Sequence, residues 1–386
     1  MKSANLIILL LTLLLSCSDR REGNKNLGPD LALSMFDSII DLGITSPVDF
    51  GGMISASYVF QDSLIYILSS KSAEKIYRVN LDTRQFLDPI ALDPNFFSKP
   101  SGIYVHNEDS IFVSEFGYPI IYLINQNGDV LNTYDLYREN LWKMPKEGFS
   151  NFGLFSSYGI EFEYNADRNS FFIPLKQLDL WYFVEEKKSF PVLGEYSLES
   201  ADFINLFGTY PGIYGDSENY LLPFFLSHPT VTIAGDKVIV SYSLDPNLYV
   251  YDLDGNFLET FLATIKNFQL SEPLRYNIPD FDDQGMFEYS GRSSFFTDFF
   301  YVKESNKYVR IFNKCIPNAE GFCKSRSIFA LIFDKNLALV EARLIGNDYE
   351  PRYFPQHVSF RKGFLSKLNQ PSNDDIFLLN DYFTLD

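Results

Sequence analysis

Residues 230–262 read TVTIAGDKVIVSYSLDPNLYVYDLDGNFLETFL and hold four short runs. Val231–Ile233 and Val238–Val240 flank the polar pair Asp236-Lys237. Leu248–Tyr251 and Phe257–Leu262 flank Asp252-Leu253-Asp254-Gly255-Asn256. β-branched and aromatic residues suit the pleated, half-buried surface of a strand. Asp, Asn and Gly supply the backbone geometry of tight turns. The stretch is therefore predicted as two successive hairpins, a unit of four antiparallel strands.

The unit recurs. First hairpins turn at Asp62, Asp109, Asn169, Asp236, Asn306 and Lys362, which are 47, 60, 67, 70 and 56 residues apart. Second hairpins follow at Asn80–Thr83, Asn125–Asp129, Asp252–Asn256 and Asp334–Asn336. Four-stranded units repeated radially describe a β-propeller. A β-sandwich or a pair of β domains is the rival, and neither has a reason to repeat such a unit six times. Met35–Leu42 (MFDSIIDL) reads like the fourth strands Leu131–Leu136 and Phe257–Leu262, yet no three strands precede it. The sixth unit runs out near Ile376–Asp386. The expected fold is all-β, a six-bladed β-propeller over residues 31–386, closed by an N-terminal strand that removes the open sheet edges. No WD or kelch signature is present.

Composition agrees with this class. Of 386 residues, 46% are apolar and 17% aromatic, with 38 Phe and 25 Tyr. Thirty-two Lys and Arg against fifty Asp and Glu leave a net charge of −18. Phosphate binding needs a basic face, so no nucleic-acid partner is expected. Three Cys and three His are too few for a Cys/His zinc framework, and no metal or cofactor is expected.

The N-terminus reads as an address. Lys2 precedes an apolar run, Leu6–Leu15, broken only by Thr12. Spanning a bilayer takes roughly 20 residues, whereas a run of this length fits a signal peptide. It ends in Leu14-Leu15-Ser16-Cys17, which resembles the lipobox of bacterial lipoproteins. The resemblance implies removal of residues 1–16 and lipidation of Cys17, and thus a membrane partner held through the N-terminal lipid. Residues 17–30 read as a flexible tether. Ser18 in place of Asp implies the outer membrane, by likeness to lipoprotein sorting in Gram-negative bacteria; the membrane side stays open. The lipobox, the chain length and the Tyr/Phe-rich units together resemble the uncharacterised six-bladed propeller lipoproteins of Bacteroidetes, loosely related to TolB-like propellers. That family implies a fold and a location, with no substrate or catalytic residues to carry over.

Loop lengths are asymmetric. Turns between first and second strands, and between third and fourth, are tight and share one face of a propeller. The long segments, 137–157, 199–227, 263–294 and 313–327, belong to the other face and are rich in Phe and Tyr. Long ordered loops are often functional, so that face is expected to bind a ligand or partner. The alternative is that the loops only plug the channel. Cys315 and Cys323 lie in the last segment; in an exported chain an even pair reads as a disulfide, with two free thiols as the alternative.

Inner strands start on that face, and the equivalent position gives Ser101, Tyr158, His228, Ser293 or Ser294, and His357. Imidazole can act as a base or a ligand near neutral pH. Arg292 could hold a carboxylate or sulfate bidentately. These are the candidate ligand-binding residues, against the reading of both His as ordinary strand-start residues. Asp252-x-Asp254-Gly255 begins like a calcium loop but lacks its later ligands, so turn chemistry explains it. Asp280, Asp282 and Asp283 read as a solvated acidic loop. No nucleotide, hydrolase or metalloprotease motif is present. The expected function is a lipid-anchored binding protein taking a glycan, peptide or protein, the alternative being a hydrolase or lactonase at the channel mouth.

Overall fold

The computed structural model describes residues 33–35, 39–45, 54–69, 74–115, 118–136, 153–154, 162–176, 191–212, 220–221, 229–266, 268–271, 274–275, 289, 291–349, 356–368 and 378–385. These residues form an all-β propeller.

The first sheet runs Ile54–Phe60, Leu64–Ser69, Lys75–Asn80, Gln85–Ala91. The second runs Pro100–Asn107, Ser110–Glu115, Ile120–Ile124, Val130–Asp135. The third is Glu163–Asn165, Ser170–Lys176, Leu193–Ser197, Asp202–Phe207. The fourth is Thr230–Ala234, Lys237–Ser241, Asn247–Asp252, Phe257–Leu262. The fifth is Phe295–Val302, Lys307–Pro317, Cys323–Phe333, Leu339–Tyr349. Counted by consecutive strands, the propeller has five blades rather than six. The remaining sheet is composite: Gln356–Phe360, Gly363–Leu368 and Leu378–Thr384, with Ile39–Thr45 from the other end of the chain antiparallel on Leu378–Thr384. The stretch Met35–Leu42 is divided. Met35 belongs to Leu33–Met35, which pairs in parallel with Leu339–Tyr349 of the fifth sheet.

Apolar residues alternate to the two faces of each sheet, and neighbouring sheets bury them together. Ile76 and Ile103 share a cluster between sheets one and two, and Phe112 and Phe171 one between two and three. Val192 and Val240 join three to four, and Ile239 and Phe312 join four to five. The composite sheet packs Phe364 and Phe383 against the fifth sheet, and Leu365 and Tyr382 against the first.

Tight turns follow from the sequence words. Asn125, Asp252 and Asp334 each accept, through Oδ1, backbone N–H groups two and four residues on. Gly128 needs its glycine twice over: φ is +87°, and a Cβ would lie 1.9 Å from the Ala91 carbonyl oxygen. The Asp252 word is thus a turn, as expected. In two first hairpins a tyrosine hydroxyl closes the turn: Tyr164 donates to Asn169 Oδ1 at 2.9 Å and Tyr301 to Asn306 Oδ1 at 2.8 Å.

Arg310 locks the fourth and fifth sheets together. It is fully buried. Its guanidinium donates to Ser241 Oγ and to the carbonyls of Pro246, Ala263, Tyr242 and Asp245 at 2.7–3.1 Å, stacking 3.6 Å over the Phe296 ring. All five N–H donors are used, which is how a buried guanidinium avoids its desolvation penalty. An ionic link joins sheets three and four. Arg168 holds buried Glu195 at 2.7 Å and Asp254 at 2.9 Å.

Two expected loops are corrected. Residues 313–327 are mostly strand, because Lys307–Pro317 and Cys323–Phe333 run eleven residues each and turn over only at 318–322. Asn318 makes that turn as Asn125 does, its Oδ1 accepting from Glu320 and Phe322 N–H, with Gly321 at φ +83°. Segment 199–227 contains the outer strand of the third sheet, Asp202–Phe207. Phe207 and Tyr210 are core residues packed beside Tyr251 and Tyr242, not loop aromatics.

Candidate functional site

The end of each sheet where inner strands begin carries the long connections. Two of them meet in a short ribbon, Tyr220–Leu221 paired with Leu274–Arg275. The most built feature at this end belongs to the fifth sheet. Its second strand starts and its third strand ends at the end of the blade equivalent to the turn before Lys237–Ser241, and each has eleven residues against five and six for the corresponding strands of the fourth sheet. The surplus of five or six residues amounts to about 16–20 Å of strand at roughly 3.3 Å each.

Cys315 and Cys323 are disulfide-bonded across this hairpin, with Cα atoms 5.2 Å apart. The pairing expected from an even Cys count in an exported chain is therefore present. The hairpin is tied down at its base. Cys323 N–H donates to the Gly291 carbonyl at 2.7 Å, and Cys315 N–H to Ser294 Oγ at 3.0 Å. Buried Arg326 donates to the Ser293 carbonyl at 2.8 Å and lies over the Phe295 ring; burial pulls its pKa down to about 10.

Of the expected ligand-binding residues, Arg292 and Ser293 are brought to the base of this hairpin. Arg292 is exposed, its guanidinium 3.7 Å from the Phe322 ring centroid. Ser293 is buried, its hydroxyl donating to the Tyr289 carbonyl at 2.6 Å. Ser101 lies in the second sheet, buried, 3.5 Å from Ser114 Oγ. His357 is the second residue of Gln356–Phe360, opposite Ser366. Tyr158, His228, Cys17 and the Asp280–Asp283 loop lie outside the described residues. Among the described residues, no three His, Cys, Asp or Glu are grouped to hold a metal ion.

Two features went unread in the sequence. Glu115, beside Ser114 at the same end of the second sheet, is buried. Its Oε1 accepts from Ser98 N–H, Ser98 Oγ and Lys99 N–H at 2.5–2.7 Å, while Oε2 has no partner among the described residues. It anchors the connection from sheet one to sheet two. The other is an aromatic wall along the inner strands of the first three sheets. Tyr58 and Tyr104 rings lie 4.7 Å apart, Tyr104 and Tyr164 5.9 Å, and His106 and Tyr164 5.1 Å. Burial, with Glu163 nearby, pushes Tyr104 up to about 12 and raises Tyr58 further. These phenols stay neutral donors at physiological pH, so the wall offers hydrogen bonds and ring faces rather than a nucleophile. The recurrence of Tyr58, Tyr104 and Tyr164 four or five residues before the turn was the available signal.

Fold and site together define an all-β propeller with one elaborated end. Among solved structures, the chain resembles a member of the DUF4221 family from Bacteroides vulgatus, with a TM-score of 0.61 at 13% identity, covering 89% of this chain and 98% of that one. It also aligns with hydrazine synthase from Kuenenia stuttgartiensis at a TM-score of 0.43 and 9% identity, over 90% of this chain and 77% of that one. No family model and no curated protein matches the chain.

Proposed function

We propose that the chain is a lipid-anchored propeller of the cell envelope that binds a glycan, peptide or protein on its long-connection face. The observation carrying this reading is the fifth-sheet hairpin. Folding alone gives no reason to carry three strands of one sheet to eleven residues, bridge two of them with a disulfide and clamp their base; a platform for a ligand does. The composite sheet acts as the sixth blade, a reading supported by its packing against both the first and the fifth sheets. The shared fold supports kinship with the DUF4221 family member from Bacteroides vulgatus.

Anchoring rests on Leu14-Leu15-Ser16-Cys17. Cys17→Ala is expected to leave the protein unlipidated and in the soluble fraction; if it still sediments with membranes after a high-salt wash, the anchor is wrong. Binding is tested by replacing residues 316–325 with a two-residue turn and Cys315 with Ser, which keeps the buried Arg326. The trimmed protein should keep its melting temperature within a few degrees and lose ligands that the full chain retains from an envelope extract. Retention of the same ligands by both forms would place the binding face elsewhere.

A further inference from the structure

Arg292 combines three properties. Its backbone is held on both sides by the disulfide hairpin: Gly291 accepts from Cys323 N–H at 2.7 Å and Ser293 from Arg326 at 2.8 Å. Its own N–H donates to the Tyr289 carbonyl at 3.0 Å. One face of its guanidinium is covered by Phe322 at 3.7 Å, and the side chain is exposed. Among the described residues, neither a hydrogen bond nor an ion pair occupies its N–H edge.

We infer that Arg292 and Phe322 form a binding site for the carboxylate or sulfate group of an otherwise uncharged saccharide, a refinement that rests on the binding-face reading above. A guanidinium stacked on one face has only its planar N–H fork to offer. That fork matches two oxygens of a carboxylate or sulfate. Stacking and the clamped backbone remove rotamer freedom before the ligand arrives, so less entropy is lost on binding. The net charge of −18 decides what carries the anion. A polyanion would be repelled by the field of the whole chain, whereas one isolated acidic group meets a local cation. Phe322 is half-buried, so part of its ring stays open beside the guanidinium for the C–H face of a pyranose.

The test uses the full chain in detergent, with glucuronate, glucose 6-sulfate, glucose and N-acetylalanine as probes in titration calorimetry or ligand-observed NMR. Glucuronate and glucose 6-sulfate should bind at least tenfold tighter than glucose and N-acetylalanine. Arg292→Ala should abolish that preference with an unchanged melting temperature. Arg292→Lys should restore it only in part, because an ammonium lacks the fork. Equal binding of glucose and glucuronate, an Arg292→Ala variant that binds like the wild type, or no binding of any acid probe overturns the inference. Tighter binding of N-acetylalanine overturns the saccharide. The broader reading survives these outcomes if trimming the hairpin still removes an extract ligand, and falls with them if it does not.

Discussion

The fourth and fifth sheets are neighbours built on one plan and carried to different lengths. The fourth has strands of five and six residues, and its core packs fully onto the sheets beside it. The fifth repeats that core, then continues for half its length into a disulfide-bonded hairpin. The part they share is explained by burial and by Arg310. The part they do not share is held by a covalent bond, main-chain clamps and the buried Arg326.

The largest expected effect lies in the seam. Arg310→Ala removes the guanidinium donor from four carbonyls, of which Pro246 and Tyr242 keep a main-chain N–H, from Ala263 and Asp245. The loss should be about 3–5 kcal/mol of unfolding free energy, from orphaned buried acceptors at about 1–3 kcal/mol each and the lost stack on Phe296. A loss under about 1 kcal/mol in chemical denaturation would mean that water replaces the guanidinium and that the sheets are not joined there.

Breaking the disulfide should separate the two halves of the fifth sheet. The bridge closes a loop of about nine residues, worth roughly 2.5 kcal/mol on the chain-entropy model. Cys315→Ser with Cys323→Ser should loosen residues 314–326 and leave the Arg310 seam intact. Proteolysis would check this by cutting near 318–322 and sparing the ring. Cuts inside the fourth sheet would show that the hairpin supports the blade.

A smaller probe of the seam is Thr232, whose buried hydroxyl donates to the Phe299 carbonyl at 2.8 Å. Thr232→Val should cost about 1 kcal/mol, one neutral hydrogen bond plus an orphaned acceptor. The smallest effect is a pH dependence at the end of the fourth sheet. Burial raises the Asp245 pKa above its usual 3.8, against the lowering effect of Asn247, Tyr249 and Arg310. A raised folded value means that the stabilising contribution is present below 3.8 and is lost as pH rises through the folded pKa. Asp245→Asn should therefore gain stability relative to the wild type between pH 3.5 and pH 7. A pH-independent difference would mean that burial is not the dominant influence.

The same contrast explains what the sequence disclosed. The fourth sheet was legible strand by strand, because its alternation is clean and its turns carry Asp, Asn and Gly. The fifth-sheet hairpin was not, because Lys314, Lys324, Ser325, Arg326 and Ser327 break the apolar alternation where partners are hydrogen bonds rather than a core. A signal existed, since Asn318-Ala319-Glu320-Gly321 repeats the turn word of Asn125-Gln126-Asn127-Gly128. The outer strand Asp202–Phe207 was hidden by a turn at Glu199-Ser200-Ala201, where Ala201 adopts φ +50° without a glycine to mark it. Of the site, the Cys pair was readable. The stack on Phe322 was not, because the two residues are joined only through the hairpin base.

Hydrogen–deuterium exchange on the oxidised protein measures the rigidity of that hairpin amide by amide. The Cys315 and Cys323 N–H groups, bonded to Ser294 Oγ and the Gly291 carbonyl, should be protected nearly as long as Val309 and Ile332 in the core of the same sheet. Protection should fall at Cys315 and Cys323 when the disulfide is reduced, with Val309 and Ile332 unchanged. Exchange of the Cys315 and Cys323 amides within seconds in the oxidised protein would contradict the account, because a hairpin that opens freely cannot present Arg292 ready for a ligand.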